Sequence, residues 1–421
     1  MRVLFVTPPA LKSHMYVQTP LAWALRTAGH EVRVAVQPDL AEAVQGTGLT
    51  AVVAGENMLD RLTEIDEAEP PTEPRPPGAP TPVQTDYAAD DPHAELDYLV
   101  DKFLSRLCDE RIVADMVDFA RRWKPDLVIW DQLCYAGAVA ARACGAAHAR
   151  MLFGADALVQ LRSGARRQKP DADPMQDWLA ALLGRYGAEY ADDAVTGHWT
   201  IDTMPPWVWR PEGPAYLPVR HLAFNGPSVV PDWVLDAPDR PRVALTLGLS
   251  HQESGVAHAS TAELLDAVAD VDAEVVAAIG GVPDGASAVP DNVRVVDFVP
   301  LNALLPSCAA VVHQGGTGTF AAGYEYGVPQ LLVPSVYWSD KWFGPVAQAS
   351  GLEQEGAGIY VADSDRLTAD ALREALRTVL DDPGYAANAA RLRTTLMALP
   401  TPNGIVRLLE ELTAEHRGRG A

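Results

Sequence analysis

The sequence predicts an α/β protein of two doubly wound domains that face one another across a cleft. Three observations carry this. Residues 2–7 and 31–36 are apolar strands separated by a helical stretch, the unit that builds parallel sheets by right-handed crossovers. From residue 243 the same alternation of short apolar strands and helices begins again. Between the two series, residues 226–241 are rich in Pro, Gly and Asp, the composition of a linker. A length of 421 residues suits two domains at roughly 100–200 residues each.

In chain order, residues 2–7 form a continuous apolar strand of the kind buried on both faces. A loop carrying Ser13 and His14 follows. Pro20 to Gly29 reads as a helix, with Pro20 in its first turn and Gly29 at its C-terminal cap. Glu31–Val36 and Leu49–Val53 are the next strands. Seven prolines fall between Pro70 and Pro82 among acidic residues, so 66–95 reads as an extended or disordered insert. Residues 95–122 return to helical spacing. Pro125–Trp130 is a buried strand that ends at Asp131, residues 135–145 an Ala-rich helix, and residues 175–190 an amphipathic one. In the second series the strands are 243–247, 273–279, 293–298, 309–313 and 330–333, with helices at 261–270 and 320–326. The expected division is a first domain over 1–225, a linker over 226–241, a second domain over 242–400, and a terminal helix and tail over 401–421 that packs back on the first domain.

The net charge of −23 excludes nucleic-acid backbones and anionic membrane surfaces as partners. No stretch reaches the ~18 apolar residues of a membrane span, and the N-terminal apolar run is too short for a signal peptide. A soluble, cytoplasmic protein is expected. Cys108, Cys134, Cys144 and Cys308 show no CxxC pairing and read as buried free thiols, and no clustered metal ligands are visible.

In sheets of this kind ligands bind beyond the carboxyl ends of the strands, so the informative residues are those in the loops just after strands. Val312–Thr319 (VHQGGTGT) follows a strand and opens a helix. Gly315, Gly316 and Gly318 let the backbone approach a ligand, and the free amides at the helix start make an anion site. Thr317 and Thr319 add hydroxyl donors, and His313 can donate to a phosphate oxygen. Phe298 and Val299, also at a strand end, offer an aromatic face and backbone groups to a base. Downstream, Asp340 in Ser339-Asp340-Lys341 can bind sugar hydroxyls.

Those three segments, in that order and spacing, resemble the nucleotide-sugar signature of family 1 glycosyltransferases with the two-domain GT-B fold, in which both domains are Rossmann-like. The similarity is nearest to the activator-dependent, desosaminyltransferase-like deoxysugar transferases of bacterial macrolide and anthracycline biosynthesis. It extends to Ser13-His14, Pro20-Leu-Ala-Trp-Ala, Gly197–Asp202, Asn225–Trp233 and Leu245–Ser250. The Pro-rich stretch is not shared. The resemblance implies that Phe298 and Val299 bind the base. It places the diphosphate on His313 and the residues through Thr319, with Gly248 and Ser250 facing it, and the donor sugar on Asp340. Lys341 stands where the family has Gln, and it can meet a phosphate instead. Uridine-dependent relatives carry a ribose-binding Glu at the position that falls on Ala321, so Ala there fits a 2′-deoxy, thymidine donor.

An inverting transfer needs a base for the acceptor hydroxyl and stabilisation of the leaving diphosphate. His14 is placed as that base and Asp131 as the acid on its far nitrogen, and both match the family. No metal or other cofactor is required by this scheme. The expected donor is a TDP-deoxysugar and the acceptor a hydrophobic polyketide aglycone, lodged against aromatic and Met residues such as Tyr87, Tyr98, Phe103, Met151, Phe153, Met175 and Trp178. A P450-like activator protein and a homodimer are the further partners the family implies. The rival readings are a drug-inactivating transferase using a UDP-sugar, a nucleotide-sugar 2-epimerase, and a non-catalytic sugar-nucleotide-binding protein.

Overall fold

The structure is a computed structural model that describes residues 1–8, 12–58, 91–247, 261–280, 289–334 and 344–419. Most of the Pro-rich insert lies outside the described residues. Its last part is helical: the Asp91 carboxylate accepts from the Ala94 amide at 3.0 Å and caps a helix that starts at Pro92.

The strands of the first sheet are β1 (Arg2–Val6), β2 (Glu31–Val36), β3 (Ala51–Val53), β4 (Leu127–Asp131), β5 (Ala147–Met151), β6 (Trp199–Asp202) and β7 (Tyr216–Pro218). Their order is β3-β2-β1-β4-β5-β6-β7, and every pairing is parallel. The second sheet holds β8 (Arg242–Thr246), β9 (Glu274–Ala278), β10 (Val293–Val296), β11 (Cys308–His313), β12 (Gln330–Leu332) and β13 (Gly358–Tyr360). It is parallel throughout, in the order β10-β9-β8-β11-β12-β13. The central strands are apolar along their length because helices cover both faces.

Among helices of eight or more residues, the first domain has α1 (Lys12–Thr27), α2 (Pro92–Leu99), α3 (Glu110–Trp123), α4 (Ala136–Cys144), α5 (Ala157–Gln168) and α6 (Pro174–Gly184). The second has α7 (Thr261–Ala269), α8 (Thr317–Tyr326), α9 (Pro345–Gln354), α10 (Ala369–Asp381) and α11 (Pro383–Met397). The last helix, α12 (Pro402–Arg419), returns to the first domain. Its Ile405, Val406 and Leu409 are buried in the cluster that Val3, Phe5, Leu21 and Leu25 form between α1 and the sheet.

One element starts earlier than the sequence predicts. Helix α1 begins at Lys12, so Pro20 sits inside it and His14 lies in its first turn, not in a loop. Interior proline costs about 3 kcal/mol through the lost hydrogen bond and ring clash. Burial of Met15, Val17 and Leu21 against the sheet offsets that cost at roughly 1.5–3 kcal/mol per side chain.

Candidate active site

Both sheets reverse their winding once. In the first, the chain steps outward from β1 to β3 and then returns to β4 beside β1. In the second, β8 to β10 run one way and β11 to β13 the other. The crevices beyond the carboxyl ends of β1/β4 and of β8/β11 are therefore the switch points at which such folds bind ligands.

At the first crevice stand His14 and Asp131. Asp131 ends β4 and is 1% exposed; His14 is 5% exposed. His14 Nδ1 lies 2.9 Å from Asp131 Oδ2. The other carboxylate oxygen accepts from the Leu133 amide at 2.9 Å, which fixes the carboxylate plane. Against a carboxylate acceptor, Nδ1 carries the proton and Nε2 keeps its lone pair. The imidazole also packs on the Phe153 ring, with centroids 3.5 Å apart and an interplanar angle of 41°. This is the geometry of a base oriented by an acid.

At the second crevice, β11 ends at His313 and α8 starts at Thr317. Gly315 turns with φ +85, a conformation that favours glycine, and a Cβ there would sit 2.7 Å from Pro345 Cβ. Gly316 is the N-cap residue and offers no side chain to cap the helix, and among the described residues no other side chain is seen to cap it. The first amides of α8 thus lack intrahelical partners, and the space in front of Gly316 and Gly318 is open. Thr317 and Thr319 flank it, half-buried, with the Thr317 hydroxyl accepting from Gln348 Nε2 at 3.4 Å. The surface suits a diphosphate.

His313 is placed differently from the sequence expectation of a free phosphate donor. It is 2% exposed. Its Nδ1 accepts the Gly315 amide at 2.9 Å, so the proton is on Nε2, which donates to Gln330 Oε1 at 2.8 Å. Burial pushes its pKa down to about 4, with the Gln330 bond only partly offsetting that. The ring organises the turn through both nitrogens. Gln330, in turn held by the Phe320 carbonyl at 3.2 Å, is a site residue that sequence reasoning missed. Its signal was an amide at the head of an otherwise apolar buried strand.

Phe298 follows β10 and is 42% exposed, so it is available as a stacking face, whereas Val299 is buried beneath it. Ala321 is fully buried in an apolar cluster with Phe320 and Tyr324. Gly248, Ser250, Asp340 and Lys341 lie outside the described residues.

The two crevices are joined by contacts across the cleft. Phe153 touches His14; two residues on, Ala155 N lies 3.2 Å from where a Cβ on Gly344 would stand; Pro345 meets Gly315. Ala155, Met204 and Val208 of the first domain share a buried cluster with Phe320, Ala347 and Leu352 of the second.

Comparison with known proteins supplies the family and the fold. Residues 23–248 match the family described as erythromycin biosynthesis protein CIII-like, N-terminal domain, and residues 262–412 match its C-terminal domain. The aclacinomycin-T 2-deoxy-L-fucose transferase of Streptomyces galilaeus is 45% identical, covering 100% of this chain and 98% of its own. The 3-alpha-mycarosylerythronolide B desosaminyl transferase of Saccharopolyspora erythraea is 40% identical over 99% of each chain. The crystal structure of the glycosyltransferase VinC in complex with dTDP matches at 40% identity and a TM-score of 0.83, covering 99% of this chain and 100% of that one. The chain belongs to the erythromycin biosynthesis protein CIII-like family. It is a glycosyltransferase of the GT-B fold.

The transferase places the expected acceptor-lining residues unevenly. Met175, Met151 and Phe103 are buried in the two core clusters of the first domain. Trp178 and Phe153 are half-buried and Tyr98 is exposed, while Tyr87 lies outside the described residues. The transferase also brings together His148, Asp193 and His198, a grouping with metal-ligand spacing that the sequence does not reveal. Trp130 Nε1 donates to His148 Nδ1 at 3.2 Å, and the His148 amide donates to His198 Nδ1 at 3.1 Å. Each neutral ring therefore has its proton on Nε2, the atom facing Asp193, and offers no lone pair to an ion there. Among the described residues no helix is long and apolar enough to cross a membrane.

Proposed function

We propose that this chain transfers a deoxysugar from a TDP-sugar to a hydroxyl of a polyketide-type aglycone, with inversion at the anomeric carbon. The observation that carries the reading is the His14–Asp131 pair, 2.9 Å apart at one switch point, in contact through residues 153–155 and 344–345 with the uncapped start of α8 at the other. The acceptor oxygen forms its bond to the anomeric carbon as the bond to the diphosphate breaks. The hydroxyl proton passes to His14 Nε2, and Asp131 stabilises the imidazolium. The electron pair leaves on the diphosphate, which the α8 amides and the Thr317 and Thr319 hydroxyls hold. The dTDP-bound relative and the deoxysugar transferases at 40–45% identity support the donor class.

Calorimetric titration of the purified chain with dTDP and with UDP tests the donor. Tighter binding of dTDP is expected. Equal or tighter UDP binding would move the reading to a drug-inactivating transferase, and binding of neither to a non-catalytic role. Turnover by the chain alone would establish that no helper protein is required.

A further inference from the structure

We infer that Phe153 is a positioning residue for the base, held on a strap that also touches the donor-binding domain. The inference rests on the reading of His14 as the base. Its Nδ1 bond to Asp131 ties one edge of the imidazole, so the ring leaves its place only by a joint change of χ1 and χ2. Such a change would carry Nε2 off line from the acceptor hydroxyl. The Phe153 ring, 3.5 Å away centroid to centroid, closes off that movement on one face. Half-buried itself, Phe153 packs against the core clusters on both faces of the first sheet, so it has a rigid backing.

The strap, residues 152–156, is tied at both ends. At one end the Leu152 amide donates to the Ile201 carbonyl at 2.9 Å, and the Thr203 hydroxyl donates to the Leu152 carbonyl at 2.9 Å. At the other, the Asp156 carboxylate accepts from Arg150 Nη1 at 3.0 Å and from the Tyr216 hydroxyl at 2.8 Å. Arg150 is 0% exposed and Asp156 2%, so this end is a desolvated ion pair with little freedom. Between the ties, Phe153 bears on the base and Ala155 bears on Gly344, the residue that opens α9 beside the diphosphate turn. The base is thereby positioned from both domains at once.

Phe153→Leu keeps apolar bulk but loses the flat face, and Phe153→Tyr keeps the face. Two measurements test the role. In spectra of the 13C-histidine-labelled protein without ligand, the His14 ring signals shift in Phe153→Leu and stay near wild type in Phe153→Tyr. Unmoved signals in Phe153→Leu would mean that the contact is not made in solution. In turnover with a TDP-sugar, Phe153→Leu lowers kcat by about 10- to 100-fold, the scale of a small misplacement of a reacting group. dTDP affinity changes less than twofold, and Phe153→Tyr restores most of kcat. In the His14→Ala background, Phe153→Leu costs nothing further, because both changes remove one oriented group. A rise in acceptor KM at unchanged kcat, or losses that multiply in the double variant, would make Phe153 a lining residue and overturn the inference. Absence of wild-type turnover would count against the proposed function, whereas the histidine spectra judge the contact independently of it.

Discussion

His14 reaches the cleft with one nitrogen already committed to Asp131, and that commitment sets the chemistry of the other. Asp131→Asn keeps the shape but places a neutral amide where a carboxylate accepted the Nδ1 proton. It also removes the charge that stabilises the imidazolium. Turnover should fall by about 10²-fold or more while dTDP affinity, measured by calorimetry, stays within twofold, since among the described residues the Asp131 carboxylate is spent on His14 and the Leu133 amide. A matched loss of dTDP binding would instead mean that the substitution disturbs the whole site. The neutral His313 ring shows the complementary arrangement, with two nitrogens spent inside the protein to hold a turn whose amides then face outward.

At the level of elements, close packing beneath α8 decides whether that turn keeps its shape. A Cβ on Gly323, in the second turn of α8, would come within 2.7 Å of both Gln330 amide heavy atoms. Gly323→Ala should push Gln330 off His313, lower dTDP affinity by about tenfold, and destabilise the fold by roughly 1–3 kcal/mol through overpacking and an unpaired N–H. Titration calorimetry and urea denaturation check the two parts. Unchanged affinity would show that the turn holds without His313. The elements also mark how far a sequence can be read. Continuous apolar runs such as residues 2–7 and 127–130 announce buried parallel strands, and the glycines at 315, 316 and 318 announce a backbone that must approach a ligand. The start of α1 was not legible, because Pro20 reads as a boundary and only the tertiary burial of Met15 and Val17 overrides it. Gln330 was not legible as a site residue, and Phe153 only as an acceptor-lining one, for a different reason. Their partners lie 17 and 139 positions away, and nothing in local periodicity encodes such a meeting.

For the whole molecule, three buried histidines set a common pH dependence. Burial pushes His148 down to about 3, and His221 and His313 to about 4. In the unfolded chain each titrates near 6.5. Between those values the unfolded state binds protons that the folded state refuses, so stability rises with pH. The contribution is fully present above about pH 6.5 and is lost as pH falls toward 4. His221 shifts through desolvation alone, which makes it the cleanest probe. His221→Leu should shrink the loss of unfolding free energy between pH 7.5 and pH 5 by about 2 kcal/mol, read from urea midpoints at both values. An unchanged loss would mean that this ring accepts its proton within the fold. The same scale gives meaning to the return of α12. The chain passes between the domains twice, once from β7 to β8 and once from α11 to α12, and the passages touch where the Arg220 amide donates to the Pro400 carbonyl at 2.7 Å. Two straps laid side by side make a doubled seam, so a chain nicked in either passage still has its domains tied through the other.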